Sequence, residues 1–234
     1  MKKKNIAIIP ARSGSKGLKD KNIKLLNGIP LLGYSVSAAQ RTGLFDEIMV
    51  STDSAIYAEI AQKSGAAVPF LRSSELGSDS AGSWEVVKEV LKRYAILGVQ
   101  FDTVCLLQPT SPLRTTEDII GAYALLNEKQ ANAVTSVCLV DHSPLWSMVL
   151  PEDQSLEEFR HSISSNRQRQ QLDTYYRLNG AIYIRKLEYR NSDIVIMDDR
   201  EYAYVMERSN SVDIDTIDDF RLAEVMIGGY GAEE

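Results

Sequence analysis

At 234 residues the chain has the length of one domain, or of one domain with a sizeable insertion, and it is long enough to bury a core. Hydrophobic residues at 44% and charged residues at 25% describe an ordinary globular protein and exclude a disordered one. The net charge of −6 and the pI near 5.1 argue against a general nucleic-acid or membrane-surface binder, whose footprint is a basic face, so any anion site must be local.

The start, "MKKKN", is basic but leads into a short aliphatic strand, Ile6 to Ile9, without the cleavage pattern of an export signal. No apolar run approaches the roughly 18 residues of a membrane span. The expectation is a soluble, cytoplasmic protein. The strand runs into "PARSGSKGLKDKN", where Arg12, Lys16, Lys19, Lys21 and Lys24 surround a single acid, Asp20. Gly14 and Gly17 permit backbone angles that turn successive N–H groups into one concavity, and with these cations the loop suits a phosphate nest. It is neither a GxxxxGK[ST] nor a GxGxxG loop. A plain turn with solvated cations has the same composition, but the position directly after a first strand favours the nest.

A helical pattern follows over Leu31 to Arg41, then a strand over Glu47 to Thr52. Asp53 and Ser54 can cap the next helix, which Gly65 stops. Ala67 to Arg72 reads as a strand, Ala81 to Gly98 as a long helix, Thr103 to Pro109 as a central strand, Thr115 to Lys129 as a helix and Ala133 to Val140 as a strand. This alternation predicts an α/β fold with a mainly parallel, Rossmann-like sheet and helices on both faces, whose ligands lie beyond the carboxyl ends of the strands. Arg12 to Lys16, Thr52, Asp53, Arg72 and Gln108 to Arg114 all follow strands, so one crevice could collect them. Cys105 and Cys138 sit in apolar runs away from any CxxC or Cys/His cluster and read as reduced core thiols. His142 and His161 are too isolated for a zinc site or a serine-type triad.

Over residues 141–178 the alternation stops. The stretch is long enough to project as an arm from the single domain of 1–234, and its Trp146, Tyr175 and Tyr176 suit contact with a partner subunit better than a solvated loop. Strand character resumes at "NGAIYIR" (Asn179 to Arg185). Short strands at "DIVIM" and "AYVMER", the segment "SVDIDT" and a final helix from about Ile217 complete the chain. No internal repeat or low-complexity segment occurs.

Two further places suit chemistry. "LLQPTSPLR" ends a buried strand with two prolines that stiffen the loop, where Gln108 and Ser111 could hydrogen-bond a ligand or merely form a capped turn. Asp213 and Asp215 are two apart, so in an extended segment both face one side and could grip a hard cation such as Mg²⁺. Asp218 and Asp219, in the first turn of the last helix, read as structural. A cationic nest, a polar strand-end loop and paired carboxylates together suit nucleotidyl transfer, with charge on a triphosphate offset while an acceptor oxygen attacks phosphorus.

"IIPARSGSKGLKDKN", "VSTDS", "LLQPTSPLRT", "RLNGAIYI" and "SVDIDT", in this order and across nearly the whole chain, resemble the N-acylneuraminate cytidylyltransferases, or CMP-sialic acid synthetases. CMP-Kdo synthetases share the general fold but carry a different first loop. The resemblance implies a nucleotide-diphospho-sugar transferase fold, a homodimer made by exchanging an arm, and a Mg²⁺-dependent reaction of a nonulosonic acid with CTP that yields the CMP-sugar and pyrophosphate. By motif it assigns Arg12, Ser15, Lys16 and Lys21 to the triphosphate, and Asn22, Arg72 and Ser83 to the nucleotide. Asp213 and Asp215 fall to the metal, and Gln108, Asn179 and Tyr183 to the sugar. Arg12, Lys16, Lys21 and Asp215 form its catalytic group, and Arg169 matches a position that reaches the sugar carboxylate across the dimer. One departure stands out: "SPLW" places Trp146 where the family often has a lysine, which leaves the acyl and C7 to C9 preferences open between N-acetylneuraminic acid and legionaminic or pseudaminic relatives. GTP in place of CTP, or a regulatory nucleotide-binding protein without catalysis, are the competing readings. Retention of both aspartates speaks for an enzyme. No general base is evident, since His142 has no partner.

Overall fold

The computed structural model describes residues 4–14, 17–73, 82–162, 172–190 and 193–229, without the side chains of 158, 161 and 162. Its main sheet follows from the aliphatic runs. Strand β1 (Asn5–Pro10) lies between β4 (Glu47–Ser51) and β5 (Thr103–Leu107), parallel to both. The order continues through β7 (Tyr176–Arg190) to β6 (Ala133–Leu139) and β9 (Glu201–Val205), and β8 (Asp193–Ile196) pairs with β7. Strand β7 is antiparallel to β5, β6 and β8, while β6 and β9 are parallel, so β7 alone runs against the rest. The sheet is therefore mixed but mostly parallel, and α-helices flank it as the alternation predicts.

Helices α1 (Leu31–Thr42), α2 (Ala55–Lys63) and α4 (Thr116–Glu128) cover one face, and α3 (Ser83–Ile96) the other. Strand periodicity explains the split. Ala7 and Ile9 of β1 pack with Leu32, Val36, Ala61 and Ile119, whereas Ile6 and Ile8 pack with Val87, Val90 and Leu91. Burying both faces of β1 and β5 requires the unbroken apolar runs that the sequence shows. A third cluster seats α6 (Ile217–Gly229) through Phe220 and Ala223 against Leu26, Leu31 and Ile214, beside the small hairpin β2 (Leu25–Leu26) and β3 (Ile29–Pro30). Both cysteines are free and buried.

Two expectations change. Ala67 to Arg72 is not a strand: Ala67 makes one parallel bridge to Met49, with Ala67 N–H donating to the Ile48 carbonyl and Val50 N–H donating to the Ala67 carbonyl. The next ladder donor falls at Pro69, which has no N–H, and the pairing ends there. Strand β7 is far longer than Asn179 to Arg185, and its pairing with β6 slips between Thr135 and Val137, where Gly180 adopts φ of +75°. The irregular stretch expected over 141–178 ends three residues early, because β7 begins at Tyr176 and pairs there with Leu139. The described part holds a turn at Pro144–Trp146 and the short helix α5 (Glu157–Ser162), with Trp146, Val149 and Leu150 exposed.

Candidate active site

A cleft of about 440 Å³ opens where β1 and β5 end. Arg12, Gly17, Lys21, Asn22, Arg72, Ser83, Gln108, Thr110, Asp213 and Asp215 line it, so strand ends, the glycine loop, the first turn of α3 and the segment before α6 converge as the sheet's topology requires. Ser15 and Lys16 lie outside the described residues, as does Arg169.

The loop is tied down from α2 and the strand before it. Asp53 does not cap α2; Ser54 does, accepting from Tyr57 N–H. Asp53 instead accepts from Ser13 N–H at 2.8 Å and Ser13 Oγ at 3.0 Å. The Tyr57 hydroxyl donates to Asp20 at 3.0 Å, so the loop's single acid is a tether. Burial, reinforced by Asp20, pushes the Tyr57 phenol far above its ordinary range and keeps it a donor. Asn22 Nδ2 donates to the Arg12 carbonyl at 3.0 Å. Asp53 was expected at the strand end but as a possible helix cap, whereas Tyr57 is the support that sequence reasoning missed, since its tie to Asp20 spans 37 positions.

Gly17 is needed for a different reason from the one its sequence suggests. Its φ lies outside the left-handed region, but a Cβ there would sit 2.8 Å from the Asp215 carbonyl oxygen. The absent side chain lets the loop touch the segment carrying the aspartates. Lys21 spans the same contact, its Nζ donating to the Ile214 carbonyl at 2.6 Å and to Asp215 at 3.1 Å.

Asp213 and Asp215 share the cleft because Ile214 between them is fully buried and its N–H donates to the Thr110 carbonyl at 2.8 Å. The extended segment thus points both carboxylates one way. Burial raises the Asp213 pKa, and the charge of Asp215 adds to this against the opposing influence of Thr110, Lys21 and Arg177. Asp213 Oδ1 is buried without a hydrogen-bond partner among the described residues. The same two aspartates border a second cleft of about 680 Å³ that holds Arg177 and Arg208. Asp219 accepts from Thr216 N–H at 2.7 Å and Asp215 N–H at 3.1 Å, and Asp218 pairs with Arg221, so both serve α6 itself.

Arg72 is buried, with Nη2 donating to the Ser51 carbonyl at 2.8 Å; burial lowers its pKa, and Asp53 and Glu89 counter that. Ser83 opens α3, whose Gly82 N–H donates to Glu85 at 2.9 Å, and a helix N-terminus in a cleft favours an anion. Gln108 reaches the cleft beside Gly180, but Ser111 is fully buried and Thr110 takes its place in the lining. Asn179 is 1% exposed, and its amide is used internally: Oδ1 accepts from Ser136 Oγ at 2.6 Å, and Nδ2 donates to Ser211 Oγ at 2.9 Å. It braces the segment leading to Asp213 and does not form the cleft wall. Tyr183 is half-buried edge-on to Trp84 at 6.4 Å and lines a separate recess with Arg185 and Glu201 rather than the cleft. Burial and then the charge of Asp213 raise its pKa.

The sequence pattern that defines the family described as "Cytidylyltransferase" matches residues 6–220. The chain belongs to the cytidylyltransferase family. It is 37% identical over 220 residues to the N-acylneuraminate cytidylyltransferase of Streptococcus agalactiae serotype V, covering 93% of this chain and 52% of that protein. It is 34% identical over 232 residues to the CMP-N,N'-diacetyllegionaminic acid synthase of Legionella pneumophila, covering 95% of each. The chain thus spans about half the length of the first cytidylyltransferase and nearly all of the second. A solved CMP:2-keto-3-deoxy-manno-octonic acid synthetase complexed with CTP superposes with a TM-score of 0.68 at 15% identity, covering 97% of this chain and 99% of that one. At that identity the likeness shows a shared cytidylyltransferase fold. No described helix of this family member is long and apolar enough to cross a membrane.

Proposed function

We propose that the chain transfers the cytidylyl group of CTP to a nonulosonic acid. The acceptor's anomeric oxygen bonds to the α-phosphorus as the bond to the β-phosphate oxygen breaks, pyrophosphate leaves, and the acceptor proton passes to water. The observation that carries this reading is the convergence of Arg12, Lys21 and Arg72 with the Asp213–Asp215 pair in one strand-end cleft of a cytidylyltransferase-family chain.

Arg12 and Lys21, with Ser15 and Lys16 of the same loop, offset triphosphate charge, and Asn22 fixes the Arg12 backbone. Arg72 and Ser83 hold the nucleotide. Gln108 and Tyr183 face the sugar, and Asn179 supports the wall from behind. Among the described residues no three metal-ligating side chains cluster, so Asp213 and Asp215 would hold Mg²⁺ as a pair, with phosphate and water oxygens completing its shell. The buried, unanswered Oδ1 of Asp213 fits that role. Bound there, Mg²⁺ supplies positive charge where negative charge develops on the phosphates.

We further infer that the protein is a dimer through 141–178, whose exposed Trp146, Val149 and Leu150 suit a partner surface, with Arg169 reaching the acceptor carboxylate across it. The reaction is assigned to the cytoplasm, where CTP is available. Because the Legionella relative matches over nearly its full length, a diacetamido nonulosonic acid is the first acceptor to try. Pyrophosphate release with Mg²⁺, crossing CTP, GTP, ATP and UTP against N-acetylneuraminic, legionaminic, pseudaminic and Kdo acids, tests the reading. Release with CTP and one nonulosonic acid supports it; release in no combination from folded, CTP-binding protein overturns it. A monomer mass in sedimentation at micromolar concentration overturns the dimer.

A further inference from the structure

Arg114 closes the loop that carries Gln108, and it is 3% exposed. Among the described residues its guanidinium makes no ion pair. The nearby carboxylate of Asp118 is occupied in accepting from Thr115 N–H and Oγ1 and from Asn210. Burial pushes Arg114 down to about 10, which leaves it charged at neutral pH. A buried cation with no direct ion pair among the described residues, favoured only by the nearby charge of Asp118, is a cost that an apolar side chain of the same length would avoid, so packing alone does not account for it.

Its hydrogen bonds show what the cation does. Nη1 donates to the Gln108 carbonyl at 3.3 Å and to the Ala181 carbonyl at 2.8 Å, and Nη2 donates to Ser35 Oγ at 2.5 Å. Ser35 Oγ in turn donates to the Gln108 carbonyl at 3.3 Å. One planar fork therefore joins α1, the loop after β5 and the irregular part of β7. The two strand segments also meet on the cleft side: a Cβ at Gly180 would lie 2.8 Å from Gln108 Oε1. A lysine ammonium is a point donor on a flexible stem and does not reproduce a rigid two-carbonyl bridge.

We propose that Arg114 is a positioning residue that locks Gln108 and the Gly180–Ala181 stretch of β7 into one rigid wall of the cleft. The inference rests on the cytidylyl-transfer reading, in which Gln108 faces the acceptor.

The test uses Arg114→Met, Arg114→Lys, Gln108→Ala and the Gln108→Ala/Arg114→Met double variant in the full chain. Arg114→Met is expected to lower kcat about 100-fold through misplacement of the wall, with the KM for CTP changed less than about threefold. Arg114→Lys keeps the charge but recovers little of kcat. Because Arg114 acts through Gln108, the double variant should be no slower than the slower single variant, and a product of the two losses overturns the proposal. Amide hydrogen exchange gives a readout independent of turnover. In Arg114→Met, or in Arg114→Lys if the former does not fold, residues 106–111 and 179–183 should exchange faster together while α6 is unchanged. Unchanged exchange in both segments overturns the proposal even if the wild type proves inactive, an outcome that would sink only the reaction reading.

Discussion

Substituting Gly17 by alanine tests whether the loop and the aspartate segment are fitted to each other. The new Cβ would lie 2.8 Å from the Asp215 carbonyl oxygen, where ordinary contact begins at 3.4 Å, so roughly 0.6 Å of separation must be found. The obstacle is backbone and cannot rotate away as a side chain would. Overpacking of this kind costs about 1–3 kcal/mol. For a chain of this size that is a fall in Tm of roughly 2–12 °C. Whichever side yields, Lys21 and Asp215 separate from the geometry in which they are 3.1 Å apart. A shift of about half an ångström at such a site should lower turnover by about 10- to 100-fold. Pyrophosphate release at saturating CTP and a thermal melt measure the two effects. Gly14→Ala is the stability control, because a Cβ there meets nothing within 4 Å and its φ is not left-handed; it should melt within about 2 °C of wild type. A Gly17→Ala protein with wild-type Tm and wild-type turnover would refute the close-approach argument.

Asp215→Asn should leave the fold intact, since its side chain is 77% exposed, yet lower turnover by several orders of magnitude; near-normal turnover at limiting Mg²⁺ removes it from a metal role. Tyr57→Phe deletes the donor to Asp20 and should weaken CTP binding by up to about 10- to 150-fold, as one hydrogen bond to a charged group is worth, with calorimetric titration as the check. Unchanged affinity would show that Ser13 and Asp53 hold the loop alone. Asp219→Ala should cost about 0.5–2 kcal/mol through loss of the carboxylate that accepts from Thr216 N–H and Asp215 N–H at the start of α6. Hydrogen bonds from Thr216 hold the Asp219 carboxyl below its usual range, so its contribution is present above the unfolded pKa and is lost as pH falls through the depressed folded value. The melting gap between Asp219→Ala and wild type should therefore narrow on acidification, and a gap that widens is contrary to this linkage.

Which residues gather at the candidate cleft was largely legible because they obey local rules. Residues two apart in an extended segment share a side, and buried Ile214 fixes which side Asp213 and Asp215 take. Prolines and glycines after β1 and β5 mark loops at strand ends, where the topology gathers ligands. What misled was chemistry that depends on a distant neighbour. Asp53 looked like a helix cap and is an anchor for Ser13, forty positions away. Ser111 looked accessible and is buried, and Asn179 looked like a ligand contact and is a brace for Ser136 and Ser211.

The amino-acid sequence by itself determined the alternation of strands and helices, the direction in which the sheet's ligands must lie and the cationic, acidic and polar groups available there, because periodicity and chain punctuation are local properties. Tertiary structure decided the rest. That β7 runs against its neighbours, that Gly17 is needed for contact with residue 215, and that Arg114 bridges three elements through its hydrogen bonds all depend on groups brought together from far along the chain. Such contacts are set by sheet order and packing, which no local pattern encodes.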